Sequence, residues 1–200
     1  IKMGNIEVRE PIQKRSIEKK EKIISAGFGL ICKKGYYNTN TAEIAKAANV
    51  STGIIYQYFK DKHDILIAGL KKYTYNIFFP NINAVEFKNN NFEDFLKGTI
   101  YKFIENHKLS KIAHEEITSM IHTDIEVSSI YYDAELSITN IMTQLLLTNN
   151  FNPDNLKEKV HISIHLIDDL CHEIIYHKHK NMNYDKMIEI VVHSINYILK

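Results

Sequence analysis

Residues 35–62 read GYYNTNTAEIAKAANVSTGIIYQYFKDK, and this stretch decides the fold of the N-terminal region. Thr39 or Asn40 can cap a short helix that runs from Thr41 to Ala48. The apolar residues of this helix are mostly small, so a second helix can cross it closely. The segment therefore predicts the first half of a compact pair of helices.

A tight turn and a second short helix follow. Asn49 and Val50 leave room only for a tight turn, and asparagine tolerates the left-handed backbone that such turns need. Ser51 can cap a helix that extends to Phe59, with Ile55 facing inward. The outward positions are predicted to be Thr52, Gly53, Gln57 and Tyr58. Two short helices joined in this way form a helix-turn-helix, whose second helix can lie in the major groove of DNA.

The charge of the chain is unevenly distributed, although its net value is +1. Residues 1–62 hold 12 Lys and Arg against 6 Asp and Glu, whereas residues 63–200 hold 13 against 18. All ten histidines lie in the second part. A basic N-terminal part favours contact with phosphate, although a solvated lysine-rich helix explains the same charge equally well.

The rest of the chain also has the pattern of α-helices, which predicts an all-α protein. Only three prolines occur, each where the apolar pattern pauses, and no sustained alternation of the strand type is present. Helices are predicted over residues 16–34, 41–48, 51–59, 62–79, 92–107, 110–122, 124–148, 154–179 and 184–199. The asparagine-rich segment 81–91 is predicted to be a loop.

Several classes of protein are disfavoured by the sequence. Its apolar runs are far shorter than the ~20 residues that a membrane span needs. It contains no catalytic triad, phosphate-binding glycine loop or Cys/His zinc spacing, so neither an enzyme nor a cofactor is predicted. Cys32 and Cys171 lie far apart in helical patterns, which favours buried free thiols in a reducing compartment. The predicted location is the cytoplasm.

The segment from Ile23 to Leu70 resembles the DNA-binding head of the tetracycline-repressor (TetR) family of bacterial regulators. The matching residues are Ile23, Ala26, Gly35, Tyr36, Thr39, Ile44, Ala45, Ala48, Val50, Ser51, Gly53, Tyr56, Tyr58, Phe59, Lys62 and Leu66. The resemblance covers about a quarter of the chain. Asn49 stands where the family usually has glycine, and the left-handed turn accommodates it.

The resemblance implies a two-domain regulator. Residues 1–62 would form a three-helix DNA-binding head with the helix-turn-helix at about residues 40–59. Residues 63–200 would form a helical ligand-binding and dimerisation domain. The implied function is repression from a palindromic operator in double-stranded DNA, relieved by a small hydrophobic or amphiphilic effector. A transcriptional activator of the same family is the alternative.

The resemblance also implies roles for individual residues of the head. Thr39 and Asn40 would meet phosphate at the start of the first short helix, and Tyr56 and Lys62 would grip the DNA backbone on the other flank. The residues expected to read base edges are Thr52, Gly53 and Gln57, while Tyr58 would serve either purpose. Glutamine can pair with adenine N6 and N7, and hydroxyl and ammonium groups suit phosphate oxygens.

The later helices carry amphiphilic residues that suit an effector pocket. The predicted pocket residues are Tyr101, Phe103, His107, Met120, Tyr131, Tyr132 and Met142. Aromatic and methionine side chains at helical spacing are also typical of an ordinary core, which is the alternative interpretation. A small-molecule buffer that uses these helices without DNA is a further hypothesis.

The last two predicted helices have the pattern of an interface. The apolar positions of the last helix are Met187, Ile188, Val191, Val192, Ile195, Ile198 and Leu199. Apolar residues cover more than half the circumference of the helix before it, which indicates burial on two sides. In the family these two helices pair with those of a second subunit, so a homodimer is predicted, and its twofold axis implies a palindromic operator.

One stripe of histidines and carboxylates suggests a metal site. His161, His165, Asp168, Asp169 and His172 project within one sector of a single helix, with Glu158 nearby. The Glu-x-x-His spacing of di-iron bundles needs a second such motif, which the sequence lacks. The sector lies opposite the apolar arc and is expected to face solvent or the rim of the dimer interface. No metal site is therefore predicted, and a metal-binding helical bundle is the least favoured alternative.

Overall fold

The computed structural model describes residues 14–78 and 92–199, and the regular structure in these ranges is helical, without strands. The helices are α1 (Lys14–Lys34), α2 (Thr41–Ala48), α3 (Thr52–Ile55), α4 (Lys62–Phe78), α5 (Phe92–Asn106), α6 (Lys111–Thr123), α7 (Ile125–Thr148), α8 (Leu156–Tyr176) and α9 (Tyr184–Leu199). The predicted all-α class is confirmed. The loop predicted over residues 81–91 lies outside the described residues.

The largest difference from the predicted helices is at α3. It ends at Ile55, whereas the sequence pattern extends it to Phe59. The amide of Gln57 donates to Ile54 O at 3.3 Å and that of Tyr58 donates to Ile55 O at 2.9 Å. These two bonds span three residues, whereas the Phe59 amide donates across four residues to Ile55 O at 3.0 Å, so the chain closes a turn of mixed type after Ile55.

The described residues divide into two compact units. Residues 14–74 and 108–131 form the first unit, and residues 75–78, 92–107 and 132–199 form the second. Helix α6 thus belongs with α1, α2 and α3, although about fifty residues of sequence separate it from the turn after α3. The predicted domain boundary at residue 62 stays a prediction.

The core of the first unit forms where α1, α2 and α4 cross. A Cβ atom added to Gly27 on α1 would lie 2.6 Å from Ile65 Cγ2 and 3.1 Å from Ile44 Cγ2. Glycine is therefore the residue that permits this close approach. The buried core residues are Ile23, Ile24, Ile44, Ala45, Ala48, Ile55, Tyr58, Phe59 and Ile65.

The second unit contains α5, α8 and α9 in mutual contact. The buried positions of α9 are Ile188, Val192, Ile195 and Leu199, which recur at helical spacing. The Asn196 amide nitrogen donates to Glu93 Oε1 at 2.7 Å, which links α9 to α5. Cys171 is a buried free thiol in this unit, as Cys32 is in the first, so the prediction of buried free thiols is confirmed. None of the helices described is both long enough and apolar enough to span a membrane.

Candidate DNA-binding surface

The loop between α1 and α2 is held by side chains that the sequence assigned to DNA contact. Gly35 has a φ of 90°, a left-handed conformation that favours glycine. The Thr39 hydroxyl donates to Gly35 O at 2.7 Å. Lys62 Nζ donates to Tyr36 O at 2.8 Å and to Thr39 O at 2.9 Å, and it lies 4.1 Å from the centre of the Tyr36 ring.

These contacts revise the roles expected of Thr39 and Lys62. Thr39 is 2% exposed and its hydroxyl is already bonded within the loop, so it does not present an oxygen to a phosphate. Burial lowers the pKa of Lys62, and the negative charge of Glu116 opposes that change. Because its ammonium group bonds two loop carbonyls, Lys62 stabilises the loop that precedes the helix-turn-helix.

Helix α2 begins with a reciprocal capping arrangement. Asn40 Oδ1 accepts from the Glu43 amide at 3.0 Å, and Glu43 Oε2 accepts from the Asn40 amide at 3.3 Å. Lys34 Nζ lies 2.6 Å from the same Glu43 oxygen, and this hydrogen bond lowers the pKa of Glu43. Asn40 remains exposed at the entry of α2, where the sequence expects a phosphate contact.

The turn between α2 and α3 has the predicted left-handed residue. Asn49 has φ 52° and ψ 51°, and its amide donates to Ala45 O and Lys46 O. The Val50 amide also donates to Ala45 O, at 3.0 Å. The predicted conformation of Asn49 is confirmed. Ser51 occupies the predicted N-cap position of α3 in an extended conformation, but its side chain makes no capping hydrogen bond.

The outer surface of α3 and the turn after it is polar. The exposed positions are Thr52, Gly53, Tyr56 and Gln57, all of which the sequence assigned to DNA. A Cβ atom at Gly53 would have Ser51 Oγ as its nearest neighbour at 3.9 Å, so open space surrounds this backbone. Another molecule can therefore approach the peptide backbone at Gly53 closely.

Tyr58 differs from its predicted position, which was outward. It is buried, and its hydroxyl lies 2.7 Å from Ser16 Oγ on α1. Tyr58 follows the buried Ile55 by three residues, a spacing that places both side chains on the same inward face. Tyr58 therefore ties α1 to the helix-turn-helix and is not available to read bases.

Three exposed residues beside the helix-turn-helix were missed by the sequence analysis. They are Tyr37 in the α1–α2 loop, Lys46 on α2 and Lys60 after the turn. Isolated lysines and a loop tyrosine form no periodic pattern in the sequence. Their position beside the helix-turn-helix is therefore visible only in the structure. Exposed basic residues also occur on α1, at Lys14, Arg15 and Lys19.

Helix α6 supports the α1–α2 loop from within the first unit. Glu116 Oε2 accepts the backbone amide of Tyr36, and it also accepts that of Tyr37 at 3.2 Å. The Ser110 amide donates to Cys32 O at 2.7 Å, next to the end of α1. His63 Nε2 lies 2.7 Å from Asp124 Oδ2, at the entry of α7.

The predicted pocket residues are divided between the two units. Met120 and Tyr131 belong to the first unit and the other five to the second. Tyr101 and Tyr132 are exposed, and Met142 is half-buried. The structure brings two of them together, since the Phe103 and His107 rings have centres 4.4 Å apart. An open surface depression lies elsewhere in the second unit, lined by Lys178 and residues 180–185.

The ring pair of Phe103 and His107 has two further neighbours that the sequence did not group with it. His172 Nε2 lies 3.1 Å from His107 Nε2, and the Tyr176 ring stacks on that of His172 with centres 6.0 Å apart. Burial lowers the pKa of His107, which favours its neutral form. The four rings make a compact aromatic cluster between α5 and α8.

The helix-turn-helix is the part of the chain that known proteins match in sequence. Residues 23–68 match the family described as "Bacterial regulatory proteins, tetR family". A stretch of 54 residues is 54% identical to the HTH-type transcriptional regulator HbdR of Aromatoleum sp. (strain CIB), covering 27% of this chain and 24% of that protein. Another stretch of 50 residues is 46% identical to the fatty acid metabolism regulator protein of Bacillus subtilis (strain 168), covering 25% and 26%. The matched segment thus spans about a quarter of the length of these relatives.

The fold of the chain is similar to that of solved structures over most of its length. A TetR-family transcriptional regulator from Mesorhizobium loti superposes with a TM-score of 0.69 and 18% identity, over 94% of this chain and 98% of that one. At this identity the likeness concerns the fold. Residues 23–68 thus match the tetR family in sequence, and the fold over most of the chain is similar to that of a TetR-family transcriptional regulator.

Proposed function

We propose that this chain is a homodimeric transcriptional repressor that binds a palindromic operator and is released by a small hydrophobic or amphiphilic effector. The observation that carries the proposal is the polar outer surface of α3 and its following turn, formed by Thr52, Gly53, Tyr56 and Gln57. Hydrogen-bonding side chains on a short exposed helix suit the floor and walls of the major groove. Such a regulator acts in the cytoplasm, where its DNA is.

Different residues have different roles in this proposal. Gln57 reads a base edge, because its amide can pair with adenine N6 and N7, and Gly53 allows the backbone to approach the groove. Thr52 reads a second base edge. The proposed phosphate contacts are Asn40 and Tyr56, together with Tyr37, Lys46 and Lys60. Thr39, Tyr58 and Lys62 hold the helix-turn-helix in place without touching DNA.

The decisive experiment compares Gln57→Ala with Lys46→Ala on a duplex selected from a random library and on a scrambled duplex. Gln57→Ala is expected to cost about 1–3 kcal/mol of discrimination at one base pair of each half-site. Lys46→Ala should weaken binding to both duplexes alike and reduce the salt dependence of binding by about one phosphate contact. Gln144→Ala, an exposed glutamine on α7, is the matched control and should change neither value.

Two outcomes of this experiment would contradict the proposal. Equal losses on selected and scrambled duplexes for Gln57→Ala would remove its assignment as a base reader. Failure to select any duplex would remove the function itself. Transcription from a promoter that carries the selected site should fall when the protein is added, and a rise would show an activator instead.

The homodimer is proposed to form through α8 and α9. Large apolar side chains remain exposed on both helices within one chain, namely Ile162, Ile190 and Tyr197. A second copy that covers these side chains would remove them from water. Val191 is half-buried and Ile195 is fully buried inside its own chain, so Ile190 and Tyr197 are better probes of the interface.

The effector is proposed to bind in the second unit, near the aromatic cluster of Phe103 and His107. Apolar rings with imidazole nitrogens among them suit a ligand that has an apolar body and one polar group. Because linkage is reciprocal, an effector that releases DNA must bind less tightly when operator is present, with a coupling of about 1–3 kcal/mol. Equal effector affinity with and without saturating operator would contradict its role in release.

A further inference from the structure

Two histidines of the α8 stripe have neighbours that the sequence analysis did not predict. His161 and His165 were expected to face solvent or a dimer rim; the His165 side chain is 55% exposed, and both imidazoles also contact side chains of α7. Residues four apart on a helix lie on one face, so the two imidazoles point toward the same neighbour. There they meet Glu135, a residue that the sequence analysis did not connect with them because the connection between α7 and α8 separates it from the stripe.

We propose that Glu135, His161 and His165 form a binding site for one divalent transition-metal ion of the Zn²⁺ class. One ligand atom from each residue lies within 4.8 Å of the other two. Two imidazoles and a carboxylate are a donor set that zinc uses when it keeps a fourth position for water. The second histidine-bearing helix that the sequence lacked is not needed for this set, because α7 supplies the carboxylate.

The distances between the donor atoms suit such an ion. His161 Nε2 and His165 Nε2 are 3.3 Å apart. Two nitrogens bound to tetrahedral zinc at about 2.0–2.1 Å are separated by about 3.3–3.4 Å, which is nearly the same spacing. His165 Nε2 lies 2.7 Å from Glu135 Oε1, a hydrogen-bond distance. A small outward movement of the carboxylate, of roughly 0.6 Å, would open this pair to the same tetrahedral separation.

Thr139 prepares His161 to bind a metal through Nε2. The Thr139 hydroxyl donates its proton to Glu135 O at 2.8 Å. The Thr139 oxygen also lies 3.0 Å from His161 Nδ1, and since its proton is already committed it accepts from the Nδ1–H group. A neutral imidazole that carries its proton on Nδ1 has a free lone pair on Nε2. Outer hydrogen bonds of this kind orient histidine ligands in metal sites.

Burial and access also suit a metal ligand set. Thr139 is buried, Glu135 is 20% exposed at its side chain, and that of His165 is 55% exposed. The inner part of the site is thus fixed by packing, while its outer part is open to water, which can supply the fourth ligand. A bound ion would link α7 to α8 within the second unit.

Another cluster, Asp61, His63 and Asp64, shows by contrast what makes the proposed site distinctive. Asp61 Oδ1 accepts the amides of His63 and Asp64, and Asp64 Oδ2 accepts that of Lys60. These carboxylates already cap the start of α4, so their oxygens are engaged by the backbone. Glu135, His161 and His165 instead contact one another and Thr139, which brings their three ligand atoms within 4.8 Å of one another.

The test is a titration of the metal-stripped full chain with Zn²⁺ against a coloured chelator, repeated with Co²⁺ followed by its visible spectrum. Wild-type protein is expected to bind one ion per chain and to show the absorption of tetrahedral Co²⁺. His165→Gln and Glu135→Gln should each weaken binding by at least about a hundredfold, since they remove direct ligands. His193→Gln is the matched control, because His193 pairs with Glu93 at 3.4 Å, away from the three proposed ligands, and it should bind like wild type.

Thr139→Val tests the positioning role separately from ligation. It should weaken Zn²⁺ binding by about tenfold, and Thr139→Ser should restore it, because the hydroxyl is what orients His161. Zn²⁺ should raise the melting temperature of wild type and of His193→Gln, and leave that of His165→Gln unchanged. Because the His165 side chain is exposed, His165→Gln should fold normally, and it keeps the test valid if Glu135→Gln is unstable. Binding by His165→Gln equal to wild type, or no saturable binding by wild type, would overturn the proposal.

Discussion

The helix-turn-helix and the pair α8–α9 place their apolar side chains in opposite ways. In α2 and α3, Ile44 and Ile55 are fully buried, and apart from Tyr56 the exposed positions there are polar or small. In α8 and α9, by contrast, Ile162, Ile190 and Tyr197 are 54%, 63% and 84% exposed. Both regions are helical and both bury apolar side chains on one face, so the difference lies on their outer faces.

This difference indicates what each region requires from its surroundings. The helix-turn-helix buries its large apolar residues within its own unit, and its exposed surface is suited to a polar partner. Helices α8 and α9 keep apolar area in water, which is unfavourable by about 25 cal/mol per Å² until another surface covers it. A nucleic acid suits the first surface, and a second protein chain suits the other.

The largest expected effect separates the two faces of α9. Ile195→Asp buries a carboxylate without a partner at a fully buried position and should cost at least about 4 kcal/mol of stability. Ile190→Asp should leave the monomer folded and instead weaken dimerisation, by about 2–4 kcal/mol. Thermal unfolding by circular dichroism and mass by light scattering distinguish the two results. An Ile190→Asp protein that stays dimeric at micromolar concentration would contradict the assignment of this face of α9 to the dimer interface.

A smaller effect tests whether Lys62 belongs to the loop or to the DNA surface. Lys62→Met removes the hydrogen bonds to Tyr36 O and Thr39 O and should cost about 1–3 kcal/mol of stability. The salt dependence of operator binding should stay unchanged, because no phosphate contact is lost. Lys60→Ala is the control, with normal stability and a salt dependence reduced by about one contact. Normal stability of Lys62→Met together with a reduced salt dependence of binding would instead show that Lys62 contacts DNA.

The smallest effect compares two tyrosines that are two residues apart. Tyr58→Phe should lower stability by about 1 kcal/mol, since it removes the hydrogen bond to Ser16. Tyr56→Phe should leave stability unchanged and weaken binding to all duplexes alike, because its exposed hydroxyl is proposed to meet phosphate. Chemical denaturation and binding titrations measure the two quantities. If Tyr56→Phe lost stability and Tyr58→Phe did not, Tyr56 would be the structural residue and Tyr58 the one left for DNA contact.

Local rules made the helix-turn-helix predictable from sequence. The cap at Asn40, the left-handed Asn49 and the apolar spacing of Ile44, Ala45 and Ala48 each depend on residues a few positions away. The prediction failed at Tyr58, which lies three residues after the buried Ile55 and shares its inward face.

The contacts that the sequence did not predict join distant parts of the chain. Lys62 reaches carbonyl groups more than twenty residues away, and Glu135 meets histidines of the next helix. Periodicity identifies the faces of a helix but does not fix how two helices are rotated and shifted against each other. The predicted pocket residues were therefore grouped by type, whereas packing within the second unit brings His172 against Phe103.

The hydrogen bonds from Glu116 to the Tyr36 and Tyr37 amides have a consequence for protein engineering. The loop that introduces the helix-turn-helix is completed by a side chain some 80 positions later, so the N-terminal segment is not a self-contained module. A fragment cut after α4 would leave these amides and the Cys32 carbonyl without their partners from α6. A hybrid regulator that carries this DNA specificity on another body therefore has to import residues 108–131 together with α1 to α4.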